Sequence, residues 1–188
     1  MQAAVDAVQG SGTIELTSSI ALSDQVTIDS GKTIILDMNG ETLSIGFSDS
    51  SKNLIVNNGT LTITGDGTFD ATEATSYKGF INNYGTLTVE NGTFQIADKA
   101  MTVHLRNQDG GKAVINGGTF SGGATIVRSF EGSNTTITGG SFTNSVYPAV
   151  DVNGETLITG GIFTNTSCSR CDSQKLGIYG PQRRGQRS

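Results

Sequence analysis

Several residue types are rare or missing in this chain, and these shortages limit the classes of protein to which it can belong. The 188 residues contain no Trp and only two Pro, and charged side chains make up 15%. No segment approaches the roughly 20 consecutive apolar residues that a membrane-spanning helix needs. The opening residues, Met1 to Asp6, have neither the basic start nor the apolar run of a signal peptide. The sequence therefore predicts no membrane span and no leader within these residues.

Basic side chains are scarce before residue 168. Residues 1–167 carry 7 basic and 16 acidic side chains, a net charge of −9. Residues 168–188 carry 5 basic and 1 acidic side chain, a net charge of +4. An acidic body is unsuited to contact a phosphate backbone, so we expect no nucleic-acid partner.

Cysteine is confined to the end of the chain. Cys168 and Cys171 form a single Cys-x-x-Cys motif, which supplies two of the four ligands that a structural zinc site requires. We therefore predict no metal and no cofactor. The repeat described below stops after Asn165, and we expect residues 167–188 to be a basic tail that is disordered or atypical.

Glycine and β-branched residues are abundant, and they recur in a repeat. Five of the 26 glycines begin a Gly-x-Phe triplet, and the phenylalanines of these triplets lie 25, 26, 22 and 21 residues apart. An internal period of this length is typical of one coil of a solenoid. The triplets are Gly67-Thr68-Phe69, Gly92-Thr93-Phe94, Gly118-Thr119-Phe120, Gly140-Ser141-Phe142 and Gly161-Ile162-Phe163.

A strand precedes each triplet. Its fourth position is a β-branched aliphatic residue in every repeat and the next position is polar, which is the period-two alternation of a half-buried strand. The five aliphatic residues are Ile63, Val89, Ile115, Ile137 and Ile158. We interpret them as one inward-facing column of stacked strands.

Two further strands complete each repeat, one before this strand and a short one that carries the Phe. Residues 11–45 show the same alternation and add about two coils. The Ala-rich segment 2–8 is expected to form a short helix that covers the first coil, because an open end exposes unpaired backbone groups. The sequence therefore predicts an all-β parallel β-helix (solenoid) of about seven coils over residues 11–166, with a short capping helix in residues 1–10.

Three segments carry a family resemblance. Residues 2–7, 12–16 and 36–40 resemble the opening of the pectate-lyase-like right-handed β-helix superfamily, and the Gly-Gly-Thr-Phe turns resemble those of large surface proteins of gut Firmicutes. The resemblance covers about residues 1–166 and implies a right-handed parallel β-helix. Members of the superfamily include polysaccharide lyases and hydrolases, phage tailspikes and non-catalytic adhesins, so the resemblance does not by itself assign an activity.

Candidate site residues come from the strand that precedes the aliphatic column. Its outward positions on four successive coils are expected to be Asn82, His104, Arg128 and Asp151, which would make Arg128 and Asp151 neighbours. This set contains one carboxylate and no cluster, and a lone His lacks the partner of a catalytic base. We predict no catalytic residue and retain His104, Arg128 and Asp151 as candidate ligand-binding residues. The alternative for Arg128 and Asp151 is a solvated surface ion pair.

Aromatic residues beside the same strand could stack on sugar rings. Tyr77 and Tyr147 precede the strand in their coils, and Tyr84 and Phe130 fall in the turn that follows it. We retain the three tyrosines as candidate ligand-binding residues. The alternative is that these aromatics cover the ends of the core as ordinary turn residues.

Asparagines recur near the end of this strand. We expect Asn57, Asn82 and Asn83 to form side-chain ladders between coils, because stacked amides hydrogen-bond to one another along a solenoid. Such ladders would stabilise the coils and fix their register.

Two functional hypotheses follow from the sequence. The first is a non-catalytic extracellular or cell-surface module that serves adhesion, display or as a stalk. The second is a polysaccharide-binding or polysaccharide-degrading β-helix, of the lyase, hydrolase or phage-tailspike kind. In both cases the expected partner is a polysaccharide or a cell-surface glycan. The last coil, near residues 158–163, would need a cover from the tail, from further sequence or from a second copy, so self-association through it is also expected.

Overall fold

The computed structural model describes residues 1–49, 51–73, 79–97, 102–144 and 147–165. Within these ranges the chain forms helix α1 (Gln2–Ala7) and twenty β-strands that wind into a parallel β-solenoid. The predicted fold class is therefore confirmed. The predicted tail, 167–188, lies outside the described residues.

Three parallel sheets form the sides of the solenoid. Sheet 1 consists of β1 (Ser11–Glu15), β4 (Thr33–Asp37), β7 (Thr60–Thr64), β10 (Thr86–Val89), β13 (Lys112–Ile115), β16 (Asn134–Ile137) and β19 (Glu155–Ile158). Sheet 2 consists of β2 (Ile20–Leu22), β5 (Thr42–Ile45), β8 (Thr68–Ala71), β11 (Thr93–Ile96), β14 (Thr119–Ser121), β17 (Ser141–Asn144) and β20 (Ile162–Asn165). Sheet 3 consists of β3 (Val26–Ile28), β6 (Asn53–Asn57), β9 (Gly79–Asn83), β12 (Val103–Asn107), β15 (Thr125–Ser129) and β18 (Val150–Val152).

One strand from each sheet makes a coil, so the described residues contain six complete coils and two strands of a seventh. The predicted aliphatic column is confirmed by the register of sheet 1, which pairs its members on successive strands from β7 to β19. The first four members are almost completely buried, and Ile158 on the last coil is partly buried. The column consists of Ile63, Val89, Ile115, Ile137 and Ile158.

The repeated phenylalanines form a continuous stack inside sheet 2. Neighbouring ring centroids from Phe69 to Phe163 lie 4.7, 4.5, 5.0 and 4.6 Å apart, with interplanar angles of 9° or less. These separations match the spacing of paired strands, so each ring lies directly on the ring of the next coil. The glycine two residues before the ring adopts a positive φ in the last four triplets, for example 98° at Gly118. This left-handed conformation explains why Gly recurs at the turn.

A second internal stack is polar. Asn57 donates a hydrogen bond from Nδ2 to Oδ1 of Asn83 (2.7 Å), and Asn83 donates in the same way to Asn107 (2.8 Å). All three side chains are fully buried, and the series continues as a hydrogen bond from Asn107 to the hydroxyl of Thr135 (2.9 Å). The ladder predicted for Asn57 and Asn83 is confirmed. Asn82, the predicted third member, is not part of this buried ladder, because it lies on the outer side of its strand, where its Oδ1 accepts a separate amide hydrogen bond from Gln108 after the next coil's strand (2.6 Å).

Helix α1 closes the first coil, as predicted. Val5 is completely buried against the core, and the side chain of Gln2 forms two hydrogen bonds with the backbone of Thr27 in β3. Lys32 Nζ donates hydrogen bonds to the carbonyl oxygens of Val5 and Val8, both at 2.8 Å. The Val5 carbonyl oxygen also accepts the backbone N–H of Val8 (3.3 Å), so Lys32 adds a charged donor at the C-terminal end of the helix.

Candidate functional site

The outer face of sheet 3 brings together charged and aromatic side chains from four coils. The register pairs Arg106 with Asn82 on one side and with Arg128 on the other, and it pairs Arg128 with Asp151. The outward column is therefore Asn82, Arg106, Arg128 and Asp151. Asn82, Arg128 and Asp151 lie where the sequence predicts them, and the position predicted for His104 belongs to Arg106.

His104 is buried in the core, so its predicted outward position is wrong. Its side chain is 1% exposed and packs between the rings of Phe80 (5.5 Å between centroids) and Phe120 (5.9 Å). Nε2 lies 3.3 Å from the carbonyl oxygen of Gly122, so Nε2 carries the proton of the neutral ring. Nδ1 is buried with no hydrogen-bond partner. Burial lowers the pKa of His104 to about 4, and hydrogen bonds to the backbone of Gly122 and Ser121 offset only part of this shift.

Two arginines of like charge are neighbours on this face. Arg128 Nε donates a hydrogen bond to Asp151 Oδ2 at 2.7 Å, and both side chains are more than one-third exposed. The Arg106 guanidinium lies over the ring of Phe130, with Cζ 5.3 Å from the ring centroid. The pKa of Arg106 is lowered, first by its burial and then by the positive charge of Arg128, while Tyr84 opposes the shift. The charge of Arg106 therefore interacts with the side chains of both Arg128 and Tyr84.

A short hydrogen-bonded chain connects the polar residues beside the arginines. Gln108 Nε2 donates to Asn82 Oδ1 at 2.6 Å, and Asn82 Nδ2 donates to the Tyr84 hydroxyl at 3.3 Å. The Tyr84 side chain nevertheless remains 48% exposed. Its ring is therefore held in place and still accessible to a ligand.

Tyr147, another of the predicted tyrosines, is not part of this arrangement. Tyr147 is 43% exposed but precedes β18, whereas Tyr84 and Phe130 follow their strands at the opposite end of sheet 3. Tyr77 lies outside the described residues. We call the set of Asn82, Tyr84, Arg106, Arg128 and Asp151 the arginine patch.

The chemistry of the arginine patch suits an anion with an apolar face. A guanidinium group matches a carboxylate or sulfate oxygen pair geometrically, and an accessible tyrosine ring can stack on a sugar ring. In the described residues, no group of three or more His, Cys, Asp or Glu side chains is placed to hold a metal ion. The part of the chain that the structure describes also contains no helix whose length and apolar character would let it span a bilayer.

Sequence reasoning missed Arg106 although a signal for it was present. Arg106 directly precedes Asn107, as Asn82 precedes Asn83, so alignment on the buried asparagines would have placed Arg106 beside Asn82. No protein-family model, curated protein or solved structure matches this chain, so its fold and the arginine patch are the observations from which its function must be argued.

Proposed function

We propose that this chain is a non-catalytic extracellular or cell-surface β-helix module that binds acidic glycans through the arginine patch. The observation that carries the proposal is the placement of Arg106 and Arg128. They are the only two arginines in residues 1–167, and they occupy paired positions on neighbouring strands. Like charges at paired positions oppose one another, and a bound anion would reduce this repulsion as the Asp151 carboxylate does beside Arg128.

The neighbouring residues support a glycan over a small inorganic anion. The accessible ring of Tyr84 offers a stacking surface, and Asn82 and Gln108 offer amide groups that can exchange their present hydrogen bonds for sugar hydroxyls. Sheet 3 also runs along the whole solenoid, so a ligand can extend across several coils. These features are consistent with the predicted resemblance to carbohydrate-active and adhesive β-helix proteins, and with a location outside the cell.

Affinity electrophoresis against a panel of uronic-acid, sulfated and neutral polysaccharides tests the proposal. We expect the acidic members to retard the protein and the neutral members to leave it unaffected. Arg106→Gln and Arg128→Gln should each weaken binding by about tenfold, because each removes a charge-assisted hydrogen bond worth on the order of 1.5 kcal/mol. Lys112→Gln is the matched control, because it removes the same charge from the exposed face of sheet 1 and should change binding little.

Asp151 provides a more specific test, because it competes with a bound anion for Arg128. Asp151→Asn removes the carboxylate that accepts the 2.7 Å hydrogen bond from Arg128 Nε. We expect this variant to bind acidic polysaccharides several-fold more tightly, and to lose affinity as salt concentration rises. Equal or weaker binding by Asp151→Asn would contradict a role of Arg128 in anion recognition.

A polysaccharide-degrading β-helix is the second candidate, favoured by the ion pair of Arg128 and Asp151 on the same face. The same panel separates the two hypotheses when reducing ends and unsaturated products are also measured. Binding without new reducing ends supports the display module, whereas cleavage of any acidic polysaccharide would replace it with an enzyme.

A further inference from the structure

We infer that Phe130 is a positioning residue of the arginine patch, which holds the Arg106 guanidinium at the place where the anionic group of a glycan is bound. This role rests on the proposed function, because it concerns how one arginine of that site is held. The two arginines differ in this respect. Arg106 lies over an aromatic ring, with Cζ 5.3 Å from the centroid of Phe130, whereas Arg128 donates a hydrogen bond to a carboxylate.

The turn after sheet 3 forms a second column of side chains beside the outward column of the arginine patch. In four successive coils the first residue of this turn donates its backbone N–H to the last residue of the sheet 3 strand in the preceding coil, at 2.8 or 2.9 Å. Residues that repeat the same contact lie one above another, at the spacing of paired strands. The turn column consists of Tyr84, Gln108, Phe130 and Asn153.

Two side chains of the turn column contact the outward column one coil earlier. Gln108 Nε2 donates a hydrogen bond to Asn82 Oδ1 at 2.6 Å, and the ring of Phe130 lies against the guanidinium of Arg106 in the same diagonal relation. Phe130 thus stands to Arg106 as Gln108 stands to Asn82. These contacts cross from a turn to the strand of the preceding coil, so they hold the outward side chains of two successive coils.

Arg106 requires such a contact because its surroundings disfavour its charge. Burial and the positive charge of Arg128 both lower the pKa of Arg106. The face of an aromatic ring carries negative charge density, which attracts a guanidinium within about 6 Å of the ring centroid. Phe130 therefore holds Arg106 on the outer face of sheet 3 against the repulsion from Arg128.

Phe130 and Asp151 hold their arginines by different means, with opposite consequences for an anionic ligand. Asp151 accepts a hydrogen bond from Nε of Arg128, so a ligand that uses this donor must displace the carboxylate. The ring of Phe130 attracts Arg106 through its π electrons and brings no negatively charged group that competes with the ligand. Loss of the Asp151 carboxylate should therefore strengthen binding, whereas loss of the Phe130 ring should weaken it.

Affinity electrophoresis of Phe130→Leu on uronic-acid and sulfated polysaccharides tests this role. We expect binding about three- to fivefold weaker, which corresponds to the loss of a cation–π contact at a partly exposed site. The factor should be the same for both polymers, because a guanidinium binds carboxylate and sulfate oxygens alike. Phe130→Tyr keeps the ring and should bind like the unchanged protein. Tyr147→Leu is the matched control, because it removes a 43% exposed ring from the other end of sheet 3 and should leave binding unchanged.

A double-mutant cycle separates an effect through Arg106 from a general loss of structure. In the Arg106→Gln background, Phe130→Leu should cause no further loss of affinity, because the guanidinium on which it acts is gone. NMR gives a second measure without ligand. The ring current of Phe130 should shift the side-chain protons of Arg106 upfield, and this shift should disappear in Phe130→Leu and persist in Phe130→Tyr. Circular dichroism should show that all variants remain folded.

Several results would overturn the positioning role of Phe130. These are an equal loss from Phe130→Leu with and without Arg106, unchanged or tighter binding by Phe130→Leu, and failure of Phe130→Tyr to restore binding. If Phe130→Leu had no effect while both arginine variants weakened binding, the proposed function would stand without this role. If the unchanged protein bound no acidic polysaccharide, the proposed function would fail. A ring-current shift of Arg106 would then mean that Phe130 holds the guanidinium for stability alone, which also overturns the role.

Discussion

Replacing Asn83 with Leu is expected to lower the free energy of unfolding by about 3–5 kcal/mol, because it interrupts the buried asparagine ladder. The Asn83 side chain accepts a hydrogen bond from Asn57 and donates to Asn107 and to the carbonyl oxygen of Lys112 (3.1 Å). Leu is close to Asn in shape, so the substitution leaves little cavity and removes mainly the polar contacts. Asn107 Oδ1 and the Lys112 carbonyl would lose this donor while remaining inside the protein.

Asn82→Leu is the control for this prediction. Asn82 is the preceding residue of the same strand, but its amide faces outward and bonds to the side chains of Gln108 and Tyr84. These partners can turn to solvent when the amide is removed, so we expect a loss below about 1 kcal/mol. Urea denaturation followed by circular dichroism measures both variants. Equal losses would show that the ladder contributes no more to stability than the outward-facing hydrogen bonds of Asn82, whose side chain is 9% exposed.

The regular part of the fold could be predicted because its residues repeat strictly. The aliphatic column and the Phe stack recur in five successive repeats, each aliphatic residue is followed by a polar residue, and strands in register place such residues on top of one another. Neither needs knowledge of the loops, because each lies within a few residues of a Gly-x-Phe turn. The cap could be predicted for a different reason, since an open solenoid end must be covered.

The site could be predicted only in part, because sheet 3 departs from simple alternation. Val103, His104 and Leu105 are buried in succession at the start of β12, and the outward position comes only at Arg106. The same three-residue buried run begins β6, β9 and β15. A period-two reading therefore assigns one of these buried residues to the surface. In addition, the ladder residue Asn107 is replaced by Ser129 in the next coil. The two strands therefore have no common asparagine on which to align the sequences and so place Arg106 beside Arg128.

The burial of His104 was the least predictable feature, because the neighbouring residues that surround it come from other coils. By register it occupies the position of Phe80 in the preceding coil and of Ile126 in the next. Both are buried apolar residues. An ionisable ring thus occupies one position of an otherwise apolar column. The contribution of His104 to stability must therefore depend on pH.

The unchanged protein is expected to become less stable in mild acid because of His104, and His104→Leu is expected to abolish this decrease in the free energy of unfolding. The pKa of His104 is about 4 in the folded protein, against 6.5 for the exposed side chain. As the pH falls from 6.5 to 4, the unfolded chain therefore binds a proton that the folded chain does not, and folding becomes less favourable. This difference in pKa corresponds to about 3 kcal/mol, lost progressively over that range.

Urea denaturation of both proteins at several pH values between 7.5 and 4 isolates this contribution. Near pH 7.5 the two free energies should agree within about 1 kcal/mol, because Leu loses the hydrogen bond to Gly122 but also removes the unpartnered Nδ1. At pH 4 the variant should be more stable than the unchanged protein by about 3 kcal/mol. Both proteins share the titration of their carboxylates, such as Asp24, whose pKa is lowered by a hydrogen bond from Lys52, so these groups do not contribute to the difference.

His104→Gln keeps a polar group that does not titrate, so it should be less stable than the Leu variant at every pH yet share its weaker pH dependence. If the free energies of unfolding of the unchanged protein and the Leu variant depended on pH in the same way, the folded protein would protonate His104 as easily as the unfolded chain does. A ring enclosed by Phe80 and Phe120 should not allow this.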